Sequence, residues 1–383
     1  MMLFRSFVAC WVVLACLLVA TCGAAAVTAP AGTPLWTIQA PGGVVSAATI
    51  GYDGSTVFIC SGGNTTLPGV VSALNSSTGE TIFQLYFPHQ CGNSPLVIVH
   101  PDLLVVGTFA GYNRPAQLAA FDARTGASRW SRSWFCSIHG SPAASDDGSL
   151  IFFGCDDTIF RAVRSSTGAT AWEFDTSYSV RTTAVVTKET LYMTTDGGDL
   201  YALNARTGKR LWKRTFTWAP QSYTSTPVLG GEWVFVAGVM SNLTAFEAAT
   251  GRVSWDIANP EVGGPYTTVA YDGGRVFAGD NRGYCWCLHA ASGHVLWSFN
   301  ETNQSQILAP PAVVPGGNVV LFATVQSSQV IALNAQSGSV LWRYQGTNIY
   351  YAQPAILPLN DRISTHRIAI VADADGSVAA LQL

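Results

Sequence analysis

Seven side chains set just before apolar runs carry the groups that could do chemistry: Asn93, His139, Arg181, Tyr223, Tyr266, Tyr351 and Gln353. They fall in "HQCGNS", "CSIHGS", "YSVRTT", "QSYTST", "GGPYTT" and "IYYAQP". An arginine among tyrosines can hold a carboxylate, a peptide or a glycan through paired donors and aromatic faces. None of these lead-ins contains Asp or Glu, so they lack the converging oxygens that a hard cation needs. Asp175 and Glu261 lie a few residues upstream and are the nearest carboxylates in the sequence. His139 and His89 stand without further ligands at metal-binding spacing. Gly-x-Ser-x-Gly, His-Glu-x-x-His and a phosphate-cradling glycine loop are absent from the sequence, and no residue is expected to be catalytic. "DADG" at 373–376 lacks the later acidic ligand of a calcium loop and reads as a turn.

The elements that position these residues come from a repeat. Gly-x-x-x-aromatic occurs at 79–83, 126–130, 168–172, 208–212, 251–255, 293–297 and 338–342, with a lone Leu-Trp at 35–36. Seven of the 12 tryptophans hold this one position: Trp36, Trp130, Trp172, Trp212, Trp255, Trp297 and Trp342. The aromatics recur at roughly 40 to 47 residues, the period of a four-stranded propeller blade and of WD40-like repeats. Within one unit, "TTAVVTK", "TLYMTT", "DLYALNA" and "KRLWKR" alternate apolar and polar residues between turn residues, which is the pattern of strands and hairpins. A single blade cannot bury both faces, so each Trp is read as a flat surface against the next blade, a structural role. The last unit stops after its third strand, and the N-terminal "LWTIQ" supplies a fourth. The expected fold is therefore all-β, an eight-bladed propeller over residues 34–383 whose N-terminal strand completes the last blade.

"YALNARTGKRLW" and "IALNAQSGSVLW" resemble the repeat of the pyrrolo-quinoline quinone (PQQ) family of β-propellers, over essentially all of residues 34–383. That resemblance implies two kinds of function. One is a quinoprotein alcohol or glucose-type dehydrogenase, with PQQ and calcium on the propeller axis, an aspartate base and often a ring of two adjacent bonded cysteines. The other is a non-enzymatic scaffold, such as the lipoprotein of the bacterial outer-membrane assembly machine or the luminal domains of endoplasmic-reticulum membrane proteins. The carboxylate-free lead-ins, the lack of a Cys-Cys pair and the shortness of the chain disfavour the dehydrogenase. The sequence thus favours a binding or scaffold module for a protein or small ligand, without cofactor or metal. The PQQ- and calcium-dependent enzyme is the alternative.

Composition and the N-terminus set the compartment. Arg5 precedes an uncharged apolar run, Phe7 to Ala20, with small residues after it, which reads as a secretory signal peptide over 1–26. No stable membrane span is expected once it is removed. A net charge of −3 without Lys or Arg runs excludes nucleic acid and anionic membrane surfaces as partners. Five Asn-x-Ser/Thr sequons start at Asn64, Asn75, Asn242, Asn300 and Asn303, against the about two expected by chance, and make a glycoprotein of the secretory pathway the expectation, extracellular or luminal. Export leaves Cys60, Cys91, Cys136, Cys155, Cys285 and Cys287 in an oxidising compartment. Strand ends of the third blade would bring Cys136 to Cys155, the expected disulfide, and Cys60 and Cys91, on the same propeller face, are a second candidate disulfide. Cys285 and Cys287 alternate along one strand and read as buried thiols.

Overall fold

The computed structural model describes residues 30–44, 46–62, 68–89, 97–98, 102–109, 111, 114–216, 225–238, 242–258, 267–301, 305–348, 350, 352–357 and 367–383. They form eight four-stranded antiparallel sheets, the eight blades of a β-propeller. In the third blade the strands, from axis to rim, are Ala143–Ala144, Leu150–Gly154, Ile159–Arg164 and Thr170–Asp175. The fourth blade follows with Val185–Val186, Thr190–Thr194, Asp199–Asn204 and Arg210–Thr215. The innermost strand is shorter than its sequence pattern suggests. Near the axis the blades converge, and two or three residues fill the available width. Among the described residues no helix is long and apolar enough to cross a membrane.

The second and third strands are buried along their central residues because each blade is covered on both faces. Ile151 and Phe153 point to the second blade, while Phe152 meets Leu191 and Met193 of the fourth. Eight hydrophobic clusters result, one between each pair of neighbouring blades. The outer strands, with one face toward solvent, keep alternating exposure.

The repeated tryptophans bridge blades in the way expected, with a second partner that the sequence pattern conceals. The indole Nε1 of Trp172 donates to the carbonyl of Ala205 at 3.1 Å, Trp212 to Ala248 at 3.0 Å and Trp255 to Ala290 at 2.8 Å. Each ring lies over the turn glycine of the following blade, not the glycine of its own phrase. A Cβ on Gly208 would stand 2.6 Å from the Trp172 ring, and Gly208 has φ +70°. The glycine is thus needed twice, for its left-handed backbone and for the ring above it.

The strand Pro34–Gln39 closes the ring by pairing antiparallel with Ser377–Gln382, with Trp36 opposite Ala380. The Leu-Trp at 35–36 is not a solitary remnant. Gly32 stands four residues before Trp36, has φ +81° and lies against the ring of Trp342. It is the eighth copy of the Gly-x-x-x-aromatic phrase, disguised by the proline at position 34. In every outer strand the residue just before the aromatic bulges out of register, as Leu211 does between the pairs Ala202–Trp212 and Leu203–Arg210. Such bulges blunt an edge strand against pairing with other chains.

Candidate functional site at the mouth of the propeller

Two sets of loops meet on one face: the lead-ins to the innermost strands, and the turns between second and third strands. The lead-in of the fourth blade is tied to two turns, that of the third blade and that of its own. Val180 N–H donates to the Cys155 carbonyl at 3.0 Å, and Asp196 N–H to that of Ser179 at 2.9 Å. Nearer the axis, residues two positions before the inner strands link the blades. Ser141 N–H donates to Thr183 Oγ1 at 2.9 Å, Thr183 N–H to Thr226 Oγ1 at 3.3 Å, and Gln353 Nε2 to the Pro311 carbonyl at 2.8 Å. Gln353 therefore serves as a clasp between the seventh and eighth blades.

His139 and Arg181 come together on this face, and the structure adds carboxylates that the lead-ins lack. Asp156 Oδ2 stands 3.9 Å from His139 Nε2, and Asp196 Oδ2 stands 3.2 Å from Arg181 Nε. Both aspartates belong to turns between second and third strands, which return to the mouth because the strands are antiparallel. Asp175 and Glu261 are the nearest carboxylates by position in the chain; Glu261 lies outside the described residues, and among the described ones Asp156 and Asp196 are the carboxylates beside His139 and Arg181. The signal lay in "CDDT" and "TDGGD", once each turn is assigned to a face.

The electrostatics follow from burial and mutual pairing. Burial holds the His139 imidazole below its ordinary value, helped by the nearby Arg181 cation and opposed by Asp156. The Phe109 ring covers it from the side at 4.9 Å. Burial raises the Asp196 carboxyl, and Arg181 pulls it back. Asp156 Oδ1 also accepts the Ser137 N–H at 2.7 Å, so its carboxylate organises the loop as well.

Cys136 and Cys155 form a disulfide with their Cα atoms 5.7 Å apart. It joins the loop leaving the second blade to the end of a strand in the third. Asp157 lies close to both sulfurs, but these are bonded to each other and Arg161 Nη2 holds the Asp157 carboxylate at 2.6 Å. The trio therefore offers no thiolate to a metal. Cys60 is also disulfide-bonded. Cys91 lies outside the described residues, as do Asn93, Tyr223, Tyr266, Tyr351, Asn64, Asn303 and the segment 1–26. Cys285 and Cys287 are free and buried in one cluster between the sixth and seventh blades. Burial pushes the Cys287 thiol up to about 12 and Cys285 well above its ordinary value.

Two of the sequons have a local structural reason. Asn75 Oδ1 accepts the N–H groups of Ser77 and Thr78, capping the turn before Gly79 just as Asn204 caps the turn before Gly208. Asn242 Nδ2 faces the Asp256 carboxylate at 3.3 Å. Asn300 ends an outer strand on the mouth face and is exposed.

Fold and mouth together define a PQQ-type eight-bladed propeller whose described polar groups at the mouth are paired with one another. The family model for outer membrane protein assembly factor BamB matches residues 69–299 and 268–383, and the chain belongs to that family. It is 22% identical over 268 residues to the outer membrane protein assembly factor BamB of Shewanella oneidensis, covering 64% of this chain and 62% of that one. It is also 28% identical over 156 residues to a tetrathionate hydrolase of Acidithiobacillus ferrooxidans, covering 37% and 30%. The chain thus spans less than two thirds of the length of these relatives. The crystal structure of BamB from Moraxella catarrhalis superposes with a TM-score of 0.70 at 18% identity, over 92% of this chain and 99% of that one, a likeness of fold.

Proposed function

We propose that this propeller is a non-enzymatic scaffold that binds protein, exported from the cytoplasm and working in the assembly of other proteins, as the name of its BamB relatives indicates. The observation that carries the reading is the pairing at the mouth. Arg181 is engaged by Asp196, and Asp156 accepts the Ser137 N–H beside His139, so these described groups hold loops in place. A rigid ring with fixed loops suits docking, because little side-chain freedom is lost on association.

A bound quinone with calcium would require several oxygens converging on one point. Asp156 and Asp196 belong to different blades and face different partners, and the residues described at the mouth do not fit such an ion. The test is a calorimetric titration of the purified protein with PQQ, with and without calcium. The scaffold reading expects no saturable heat. Calcium-dependent binding near one PQQ per chain would replace it with a dehydrogenase, and dye-linked alcohol oxidation would then follow.

A further inference from the structure

On the mouth face a depression of about 580 Å³ opens where the second, third and fourth blades meet, lined by Phe135, Cys136, Asp156, Asp157, Ser179 and Arg181. Phe135 is its unusual member. It is 85% exposed, and a large apolar ring so placed is a cost unless something covers it. It is also held rigidly. Cys136 N–H donates to the Trp134 carbonyl at 2.9 Å, which puts Phe135 at the apex of a tight turn. On one side Trp134 stacks edge-on to Phe153 at 5.0 Å, and on the other Cys136 is bonded to Cys155. A braced, exposed aromatic beside a depression has the character of an interface anchor.

Charge selects what would cover it. The charged residues that line the depression are Asp156, Asp157 and Arg181; just behind them Arg161 pairs with Asp157 and Glu173, and Arg181 with Asp196. Each guanidinium is thus already taken. His139 contributes no positive charge near neutral pH, because burial and Arg181 keep it deprotonated. Among these described residues four carboxylates, Asp156, Asp157, Glu173 and Asp196, stand against two guanidinium groups, an excess of two negative charges.

We infer that the Phe135 depression is a docking site for a protein segment that presents an arginine or lysine side chain, with the cation over the Phe135 ring and its charge answered by Asp156. A cation over an aromatic face and near a carboxylate gains from both, and the braced turn keeps the ring in place beforehand. The inference rests on the protein-binding reading above and names the chemistry of the bound segment.

The test uses a fluorescein-labelled hexa-arginine peptide and its hexa-citrulline counterpart, which has nearly the same shape without charge. Binding to the full chain is followed by fluorescence anisotropy at low salt. The arginine peptide should bind at least roughly tenfold more tightly than the citrulline peptide. Phe135→Ala and Phe135→Leu should each weaken arginine binding by about threefold or more, the leucine showing that the ring face matters beyond apolar area. Asp156→Asn should weaken it similarly, while Asp102→Asn, which removes an exposed charge on the opposite face, should leave it unchanged. Equal binding of the two peptides overturns the inference. So does indifference to both Phe135 substitutions, or an equal loss in Asp102→Asn, which would show attraction to net charge alone. Neither result bears on PQQ, so a failure here is separable from a failure of the scaffold reading.

Discussion

Gly32, at the start of the ring, lies directly against the indole of Trp342 near its end, so that a Cβ at position 32 would stand 2.8 Å from the ring. The same relation joins every other pair of neighbouring blades. The closing contact is thus built from the same parts as the internal ones, and the strand Pro34–Gln39 is held by packing as well as by pairing with Ser377–Gln382.

Gly32→Ala should accordingly lower stability by about 1–3 kcal/mol, from a strained positive φ and a ring that must shift. Gly208→Ala, whose Cβ would stand 2.6 Å from Trp172, should cost as much or more. Thermal unfolding of both proteins checks this. An unchanged midpoint for Gly32→Ala would mean that the N-terminal strand detaches before the ring unfolds.

The indole hydrogen bonds give a graded series. Trp212→Phe keeps most of the ring but removes one of two donors to the Ala248 carbonyl, the Tyr192 hydroxyl at 3.1 Å remaining, at a cost of about 0.5–1 kcal/mol. Trp212→Ala also opens a cavity between the fourth and fifth blades, and about 3–5 kcal/mol is expected. Denaturant midpoints should follow that order.

The mouth predicts a pH dependence with opposite signs in two windows. The folded value of His139 lies below 6.5, so the unfolded chain binds the extra proton first; stability is full above pH 6.5 and falls as the pH drops toward the folded value. The folded value of Asp196 lies above 3.8, so the folded chain binds its proton first, and this group adds stability as the pH falls from that value toward 3.8. Arg181→Gln removes the cation that acts on both groups and should move the two titrations upward. Imidazole resonances, assigned with His139→Asn, report the first shift; a His139 titration unaffected by the substitution would sink the proposed coupling.

Reduction should act at the mouth and leave the buried thiols silent. Replacing Cys136 and Cys155 by serine removes a crosslink between residues 19 apart in sequence, and about 2–4 kcal/mol of stability should be lost. In the native protein Cys285 and Cys287 should resist a thiol reagent, because both are buried and their thiolates are disfavoured. Denaturant should release both together. Rapid labelling of either without denaturant would show that the sixth and seventh blades open locally.

Much of this molecule is written in its repeat. Alternation along "DLYALNA", a turn glycine and a Trp four residues later determine strands, turns and blade count, because these depend on local periodicity and on surfaces that one blade cannot bury alone. Gly32 was equally legible, four residues before Trp36, although Pro34 hides the phrase. The mouth was only half legible. His139, Arg181 and the lead-ins could be placed by counting strands, and so could the proximity of Cys136 and Cys155. Asp156 and Asp196 could not be ranked above Asp175 from order alone, since distance along the chain says nothing about which turn comes to lie beside which lead-in. That choice, with the exposure of Phe135 on its braced turn and the imbalance of charge around it, belongs to the tertiary structure. It arises where eight similar blades converge, and side chains from separate loops are brought beside one another.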